Sequence, residues 1–169
     1  LDLGCGIGSA VGALRNRGHL AYGVDPSAAV LAVARERFDP AWFRSIGAGD
    51  VSAAGLVGQG LPAAYDAVLM SGNVPAFLTD DELAGIFERL PSILKPGGCL
   101  VVGTSTAAHG GPAQQDLAAS GSELTLAHRF SDWHLGSFSE DLPWSVSIYA
   151  NAGQRRTDGG PDGVSVLGS

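Results

Sequence analysis

Basic residues are scarce in this chain of 169 residues. Ten Lys and Arg stand against 17 Asp and Glu, for a net charge of -7 and a pI near 4.8. Such a chain does not condense onto a phosphate backbone without a local basic patch, and no Lys/Arg cluster exists beyond Arg155-Arg156. That argues against a nucleic-acid substrate and against an anionic membrane surface. No apolar run approaches the ~20 residues of a membrane span. The opening residues are acidic and glycine-rich rather than basic then apolar, so they lack the pattern of a secretory signal. Two cysteines, Cys5 and Cys99, do not make a disulfide framework. Together these absences predict a cytoplasmic location, and no metal is expected. Internal repeats are also missing.

What is present is a folding composition, 45% hydrophobic and 16% charged, long enough for one domain with a sizeable core. Residues 1–3 (LDL) read as the end of a strand. A glycine loop follows at 4–8, and a short helix at 9–17 closes at Gly18. A second strand at 20–24 ends at Asp25. Pro26 and Ser27 open a helix to 38, with Val30, Leu31, Ala34 and Phe38 at helical spacing. Residues 43–46 form a weak strand, and 51–57 a helical turn. Residues 65–71 (YDAVLMS) are a continuous apolar strand of the kind buried on both faces of a parallel sheet. Thr79 to Glu82 is a capping box opening a helix with Leu83, Ile86, Phe87 and Leu90 on one face, and Pro91 kinks or restarts it. KPGG at 95–98 predicts a turn into a strand at 99–103. A brief helix at 112–120 and strands at 123–130 and 144–150 follow, the last with Trp144, Val146 and Ile148 alternating. The Gly- and Asp-punctuated residues 153–169 read as a disordered tail, which leaves 1–152 as the domain.

Strand and helix alternate through residue 103, which predicts right-handed crossovers and an α/β, Rossmann-like doubly wound sheet, mostly parallel. Ligands of such sheets bind beyond the carboxyl ends of the strands. After the first strand, Gly4, Gly6 and Gly8 permit close backbone approach, although a lone Gly-x-Gly also serves a plain strand-to-helix turn. Asp2 sharpens the reading. A carboxylate beside the loop repels a pyrophosphate, and a G-x-G-x-x-G pattern would need glycine where the chain has Ser9. A ligand with positive charge nearby would welcome Asp2. Asp25 lies 21 positions beyond Gly4 (25 - 4 = 21), a distance suited to an acid that accepts from ribose hydroxyls, and it is also placed to cap the next helix. Asp50 can accept from an exocyclic amine while the Val51 N–H faces a ring nitrogen, or it can serve as a turn residue. Beyond the fourth strand, backbone carbonyls around Ser71 and Gly72 can hold an ammonium group.

LDLGCGIG, the Asp25 of GVDPS, the Asp50 of GAGD, YDAVLMSGN and KPGG, in this order and spacing, resemble the class I S-adenosylmethionine-dependent methyltransferases, over residues 1 to about 105. The resemblance implies a sheet of order 3-2-1-4-5-7-6 with the last strand antiparallel, and S-adenosyl-L-methionine as cofactor. It implies that Asp2, Gly4, Gly6 and Gly8 bound the methionine moiety and that Asp25, with Ser27 beside it, takes the ribose. Asp50 and Val51 then take adenine, and Ser71 and Gly72 lie at the methionine end. The ligand would carry a sulfonium and an ammonium group but no phosphate, so Asp2 is no liability. The acceptor implied is a small molecule. An NAD(P)-dependent oxidoreductase and a non-catalytic cofactor-binding fragment are the alternative readings.

Methyl transfer from a sulfonium is an in-line displacement that needs alignment more than a catalytic group, and a base only if the acceptor must lose a proton. His109, after the fifth strand, and His134, in the loop after the sixth, are the candidate bases. Each is equally readable as a solvated loop histidine. Trp133 and Phe138 either line an acceptor pocket or plug the sheet edge, the plug being favoured. Asn73-Val74-Pro75-Ala76 departs from the Asn/Asp-Pro-Pro-aromatic signature of many amino-group methyltransferases, which argues against an amine acceptor of that type. Cys5 and Cys99 are expected two strands apart, too far for a disulfide. A first strand of three residues is short for a sheet centre. The reading is therefore of a truncated first strand, without the upstream helices that cover the cofactor in the family.

Overall fold

The computed structural model describes residues 1–151; the expected tail lies outside them. Seven strands form one sheet in the order β3-β2-β1-β4-β5-β7-β6. They are β1 Asp2–Leu3, β2 Gly23–Val24, β3 Phe43–Arg44, β4 Tyr65–Met70, β5 Leu94–Ser105, β6 Leu124–Phe130 and β7 Trp144–Asn151. The pairs through β5 are parallel, whereas β7 runs antiparallel to both β5 and β6. β6 therefore points the same way as β5. The loops that leave β1 to β6 all open on one edge, which is where ligands of such sheets bind.

Five helices connect the strands: α1 Ser9–Arg15, α2 Ala28–Arg37, α3 Ala53–Gly58, α4 Asp80–Arg89 and α5 Pro112–Ser120. Leu31 and Ala34 of α2 and Val11 of α1 pack with Cys5 and Phe43 on one face. Leu83, Ile86 and Phe87 of α4 pack with Val68, Met70, Leu100 and Val102 on the other. The predicted capping box is present: Thr79 Oγ1 accepts from the Glu82 N–H, and the Glu82 carboxylate accepts from the Thr79 N–H at 2.7 Å. Cys5 and Cys99 are free thiols. No helix among the described residues is long and apolar enough to cross a membrane.

Several expectations are corrected by pairing. The second strand is two residues long, not five, because its ladder with β1 covers only Gly23 and Val24, and Leu20 is left exposed. KPGG is not a turn before the strand but an excursion within it. Tyr65 pairs with Leu94 and Ala67 with Cys99, so residues 95–98 bulge out, with Gly97 at φ 73°. On β7 the apolar row Trp144, Val146 and Ile148 is as alternating as expected, with Val146 buried, and the row between them is buried too. Ser145, Ser147 and Tyr149 are each fully buried, while Trp144 and Ile148 are only partly so. The buried row is polar because it has partners. Arg129 reaches Ser147 Oγ at 2.9 Å and grips both Asp116 carboxylate oxygens at 2.7 and 3.0 Å, and the Tyr149 hydroxyl donates to Asp116 at 2.8 Å.

Candidate functional site

The glycine loop follows the shortest of strands. The chain must reverse from β1 into α1 within five residues, and Gly4, Gly6 and Gly8 do so at φ of 67°, 53° and 78°. The three are not equivalent. An added Cβ at Gly8 would lie 2.7 Å from Phe43 Cζ, and one at Gly4 2.7 Å from Val74 Cγ2. Both positions are closed by the protein's own side chains. At Gly6 an added Cβ would meet nothing within 4 Å, so the loop is open to a ligand there.

Asp25 closes this loop from the neighbouring strand. Its Oδ2 accepts from the Gly6 N–H at 3.0 Å and its Oδ1 from the Ser27 N–H at 2.9 Å. It is not the helix cap: Ser27 is, accepting from the Val30 N–H through its own hydroxyl at 3.3 Å. Each carboxylate oxygen of Asp25 keeps a lone pair. Asp2 is 2% exposed. Its Oδ1 receives a long hydrogen bond of 3.5 Å from Ser71 Oγ, and its Oδ2 is buried without a partner. Burial pushes the Asp2 carboxyl up to about 7; the Asp25 charge adds to the shift, while the Ser71 hydroxyl opposes it. A buried acid with one unpartnered oxygen, at the entrance to an open glycine loop, is a place for a cation.

Ser71 is thus bonded to Asp2 and Gly6 to Asp25, and the two pairs are near enough for the Asp25 charge to act on Asp2. Asp50 stands apart, exposed on a 3-10 turn (Ala48–Asp50) after β3, and the Val51 side chain is buried in the core. The Asp50 turn is tied to α4 by Arg89, which donates to the Gly49 carbonyl at 2.6 Å. Gly72 is exposed with open space at its Cβ position. His109 faces away toward α4, 3.6 Å from Asp80, and His134 is exposed; no hydrogen bond links either to the loop.

Two residues near the edge carry more structure than their types announced. Asn73 adopts φ 58°, and its Oδ1 accepts from the Ser105 N–H at 2.7 Å and from Thr104 Oγ1 at 3.1 Å. It clamps the loop after β4 onto the end of β5. Trp133 lies against Gly103, where an added Cβ would collide with the indole Cζ2 and come within 3.1 Å of the Ser71 carbonyl oxygen. It is 47% exposed, so part of the side chain covers β5 at Gly103 and part is open to solvent. A glycine inside a strand marks such close approaches, and Gly103 was the sequence signal for it. A cleft of about 530 Å³ lies at the opposite edge, lined by Leu1, Leu20, Tyr22, Tyr65, Asp66 and Lys95, the last two paired at 2.9 Å.

The strand order, the single antiparallel strand and the loop-bearing edge define a doubly wound domain of the methyltransferase type. Solved structures share it. A TehB-like SAM-dependent methyltransferase from Corynebacterium glutamicum superimposes with a TM-score of 0.78 at 22% identity, over 89% of this chain and 78% of that one. The CcbJ methyltransferase from Streptomyces caelestis gives 0.77 at 18% identity, over 89% and 82%. Magnesium protoporphyrin IX methyltransferase from Synechocystis, solved with bound SAM, gives 0.65 at 17% identity, over 89% and 68%. The sequence profile of the family described as "Methyltransferase domain" matches residues 1–98, more than half of the chain, and the chain belongs to that family. No curated protein sequence matches it.

Proposed function

We propose that the protein transfers a methyl group from S-adenosyl-L-methionine to a small-molecule acceptor. One observation carries the reading: the buried Asp2 Oδ2, unpartnered, in the strand that leads into the loop open at Gly6. That pair fits a ligand with an ammonium and a sulfonium and does not fit a pyrophosphate. Bound there, the cofactor supplies a methyl group on a positively charged sulfur. Asp2, ionised, holds the charged amino-acid end, with Ser71 and Gly72 on the same side. Gly6 leaves the space that admits it, while Gly4 and Gly8 set the course of the loop around it. Asp25 accepts from the ribose hydroxyls through its remaining lone pairs, and Ser27 fixes the carboxylate for that task. Asp50 and the Val51 backbone receive the adenine edge. The contribution to rate is alignment and exclusion of water. A small acceptor is supported by the acidic surface and by the magnesium protoporphyrin IX enzyme among the similar structures. The two free thiols support a cytoplasmic location.

Calorimetric titration tests the reading. S-adenosylmethionine is expected to bind the wild type, and Asp25→Ala to weaken it by about tenfold or more, since two ribose hydrogen bonds and the Gly6 anchor are lost together. NAD binding as tightly as S-adenosylmethionine would overturn the proposal, as would no binding of S-adenosylmethionine at all.

A further inference from the structure

The glycine loop is held unequally on its two sides. Toward β2 it is pinned by backbone: the N–H groups of Gly4 and Cys5 both donate to the Val24 carbonyl, at 2.8 and 3.0 Å. Among the described residues no hydrogen bond joins residues 4–8 to the loop after β4, and the contact there is a side chain. Val74 sits where a Cβ on Gly4 would go, its Cγ2 2.7 Å and its Cγ1 3.2 Å from that position. Val74 opens a 3-10 turn, Val74–Phe77, and the turn is backed from two directions. Before it, Asn73 spans the end of β5: its N–H donates to the Gly103 carbonyl at 3.1 Å, and its Oδ1 accepts from Thr104 Oγ1 and the Ser105 N–H. Behind it, the buried Pro75 bears directly on Gly110, where an added Cβ would lie 2.5 Å from the proline Cβ. Gly110 is held in turn by Gln115 of α5, whose Nε2 donates to its carbonyl at 2.8 Å. Gln115 is fully buried, and its Oε1 has no partner. A buried amide with one orphaned atom is a poor choice for packing alone, so its hold on Gly110 is what the position gains. Gln115, Gly110, Pro75, Val74 and Gly4 thus form one line of contacts from a helix to the loop.

We propose that Val74 is a positioning residue for the cofactor site: seated on Gly4, and backed by Asn73 on one side and by Pro75, Gly110 and Gln115 on the other, it braces the course of the glycine loop and so sets the affinity for S-adenosylmethionine. Gly4 has no Cβ and a left-handed backbone, so without a neighbour it ranges over more conformations than other residue types do. Val74 removes that freedom before the ligand arrives, and a site ordered in advance loses less entropy on binding. A valine suits the task because branching at Cβ restricts χ1 and holds both methyls in place. The inference rests on the methyltransferase reading of the loop.

Calorimetric titration with S-adenosylmethionine, alongside urea unfolding, tests it. Val74→Ala should weaken binding about tenfold. Val74→Thr keeps both branches, so its affinity should stay within about threefold of wild type even where the hydroxyl lowers the urea midpoint. Gly4→Ala, alone and combined with Val74→Ala, completes a cycle in which the backbone strain at position 4 cancels. In the wild-type background that substitution meets Val74 Cγ2 at 2.7 Å; with the two methyls gone, the nearest part of that side chain is its Cβ at 3.5 Å, an ordinary contact. The affinity lost through Gly4→Ala should therefore be about tenfold smaller in the Val74→Ala background. If Gly4→Ala does not fold, Gln115→Met decides. It exchanges one orphaned buried atom for another, so the urea midpoint should move little while affinity falls about threefold; unmoved affinity there overturns the proposal. Wild-type affinity in Val74→Ala also overturns it, as does a Gly4→Ala loss of equal size in both backgrounds, or a Val74→Thr variant as weak as Val74→Ala. Failure of the wild type to bind S-adenosylmethionine defeats the cofactor reading and the brace with it; binding that is indifferent to Val74 defeats the brace alone.

Discussion

Gly6 and Gly8 are two positions apart, both in left-handed conformation, and the sequence treats them alike. The structure separates them by what fills the space a Cβ would take, which is Phe43 at Gly8 and nothing at Gly6. Their alanine variants should therefore fail differently. Gly8→Ala combines backbone strain with a core collision and should cost about 2–4 kcal/mol of stability. Gly6→Ala carries the strain alone, about 1–2 kcal/mol, yet should lose most of its cofactor affinity. Urea unfolding with parallel calorimetry separates the two, and equal loss of stability with equal loss of affinity would contradict the assignment. Residue types revealed the loop because a tight reversal from a strand needs glycine. They did not reveal Asn73 as a clamp or Trp133 as a cover, since both roles depend on Ser105 and Gly103 of β5, about 30 residues from each in sequence.

At the scale of elements, α4 was fully legible because its signals are local: a capping box at Thr79 and an apolar stripe at Leu83, Ile86 and Phe87. Thr79→Ala should lower stability by about 1 kcal/mol, read as a shift of the urea midpoint with an unchanged m-value. An unchanged midpoint would mean that packing alone holds the helix start. KPGG misled because its turn chemistry is real, with Gly97 at positive φ, but pairing with Tyr65 resumes on its upstream side at Leu94. Whether a turn precedes a strand or interrupts one is decided by the partner strand. β7 hid its buried row for a similar reason. Ser147 and Tyr149 look solvent-facing by type and are buried only because Arg129 and Asp116 satisfy them.

Across the whole molecule, the sheet brings the carboxyl ends of β1, β2 and β4 together, and with them Asp2, Asp25 and Ser71, which are separated by 23 and 69 positions along the chain from the first (25 - 2 = 23; 71 - 2 = 69). Alternation of strands and helices foretold that convergence; the state of Asp2 it could not foretell, because burial sets it. A carboxyl whose folded value of about 7 stands above its ordinary 3.8 favours folding most below 3.8, and that contribution is lost as pH rises through 7. A cationic ligand has the opposite preference, for the ionised form, so its binding expels a proton from Asp2. The most direct measurement is therefore the affinity for S-adenosylmethionine near pH 6 and near pH 8, in wild type and in Asp2→Asn. The account predicts wild-type binding about tenfold tighter at the higher pH, and an Asn variant that is weaker there and nearly independent of pH. Wild-type affinity that is flat across this range, or an Asn variant that binds as well as wild type near pH 8, would contradict it.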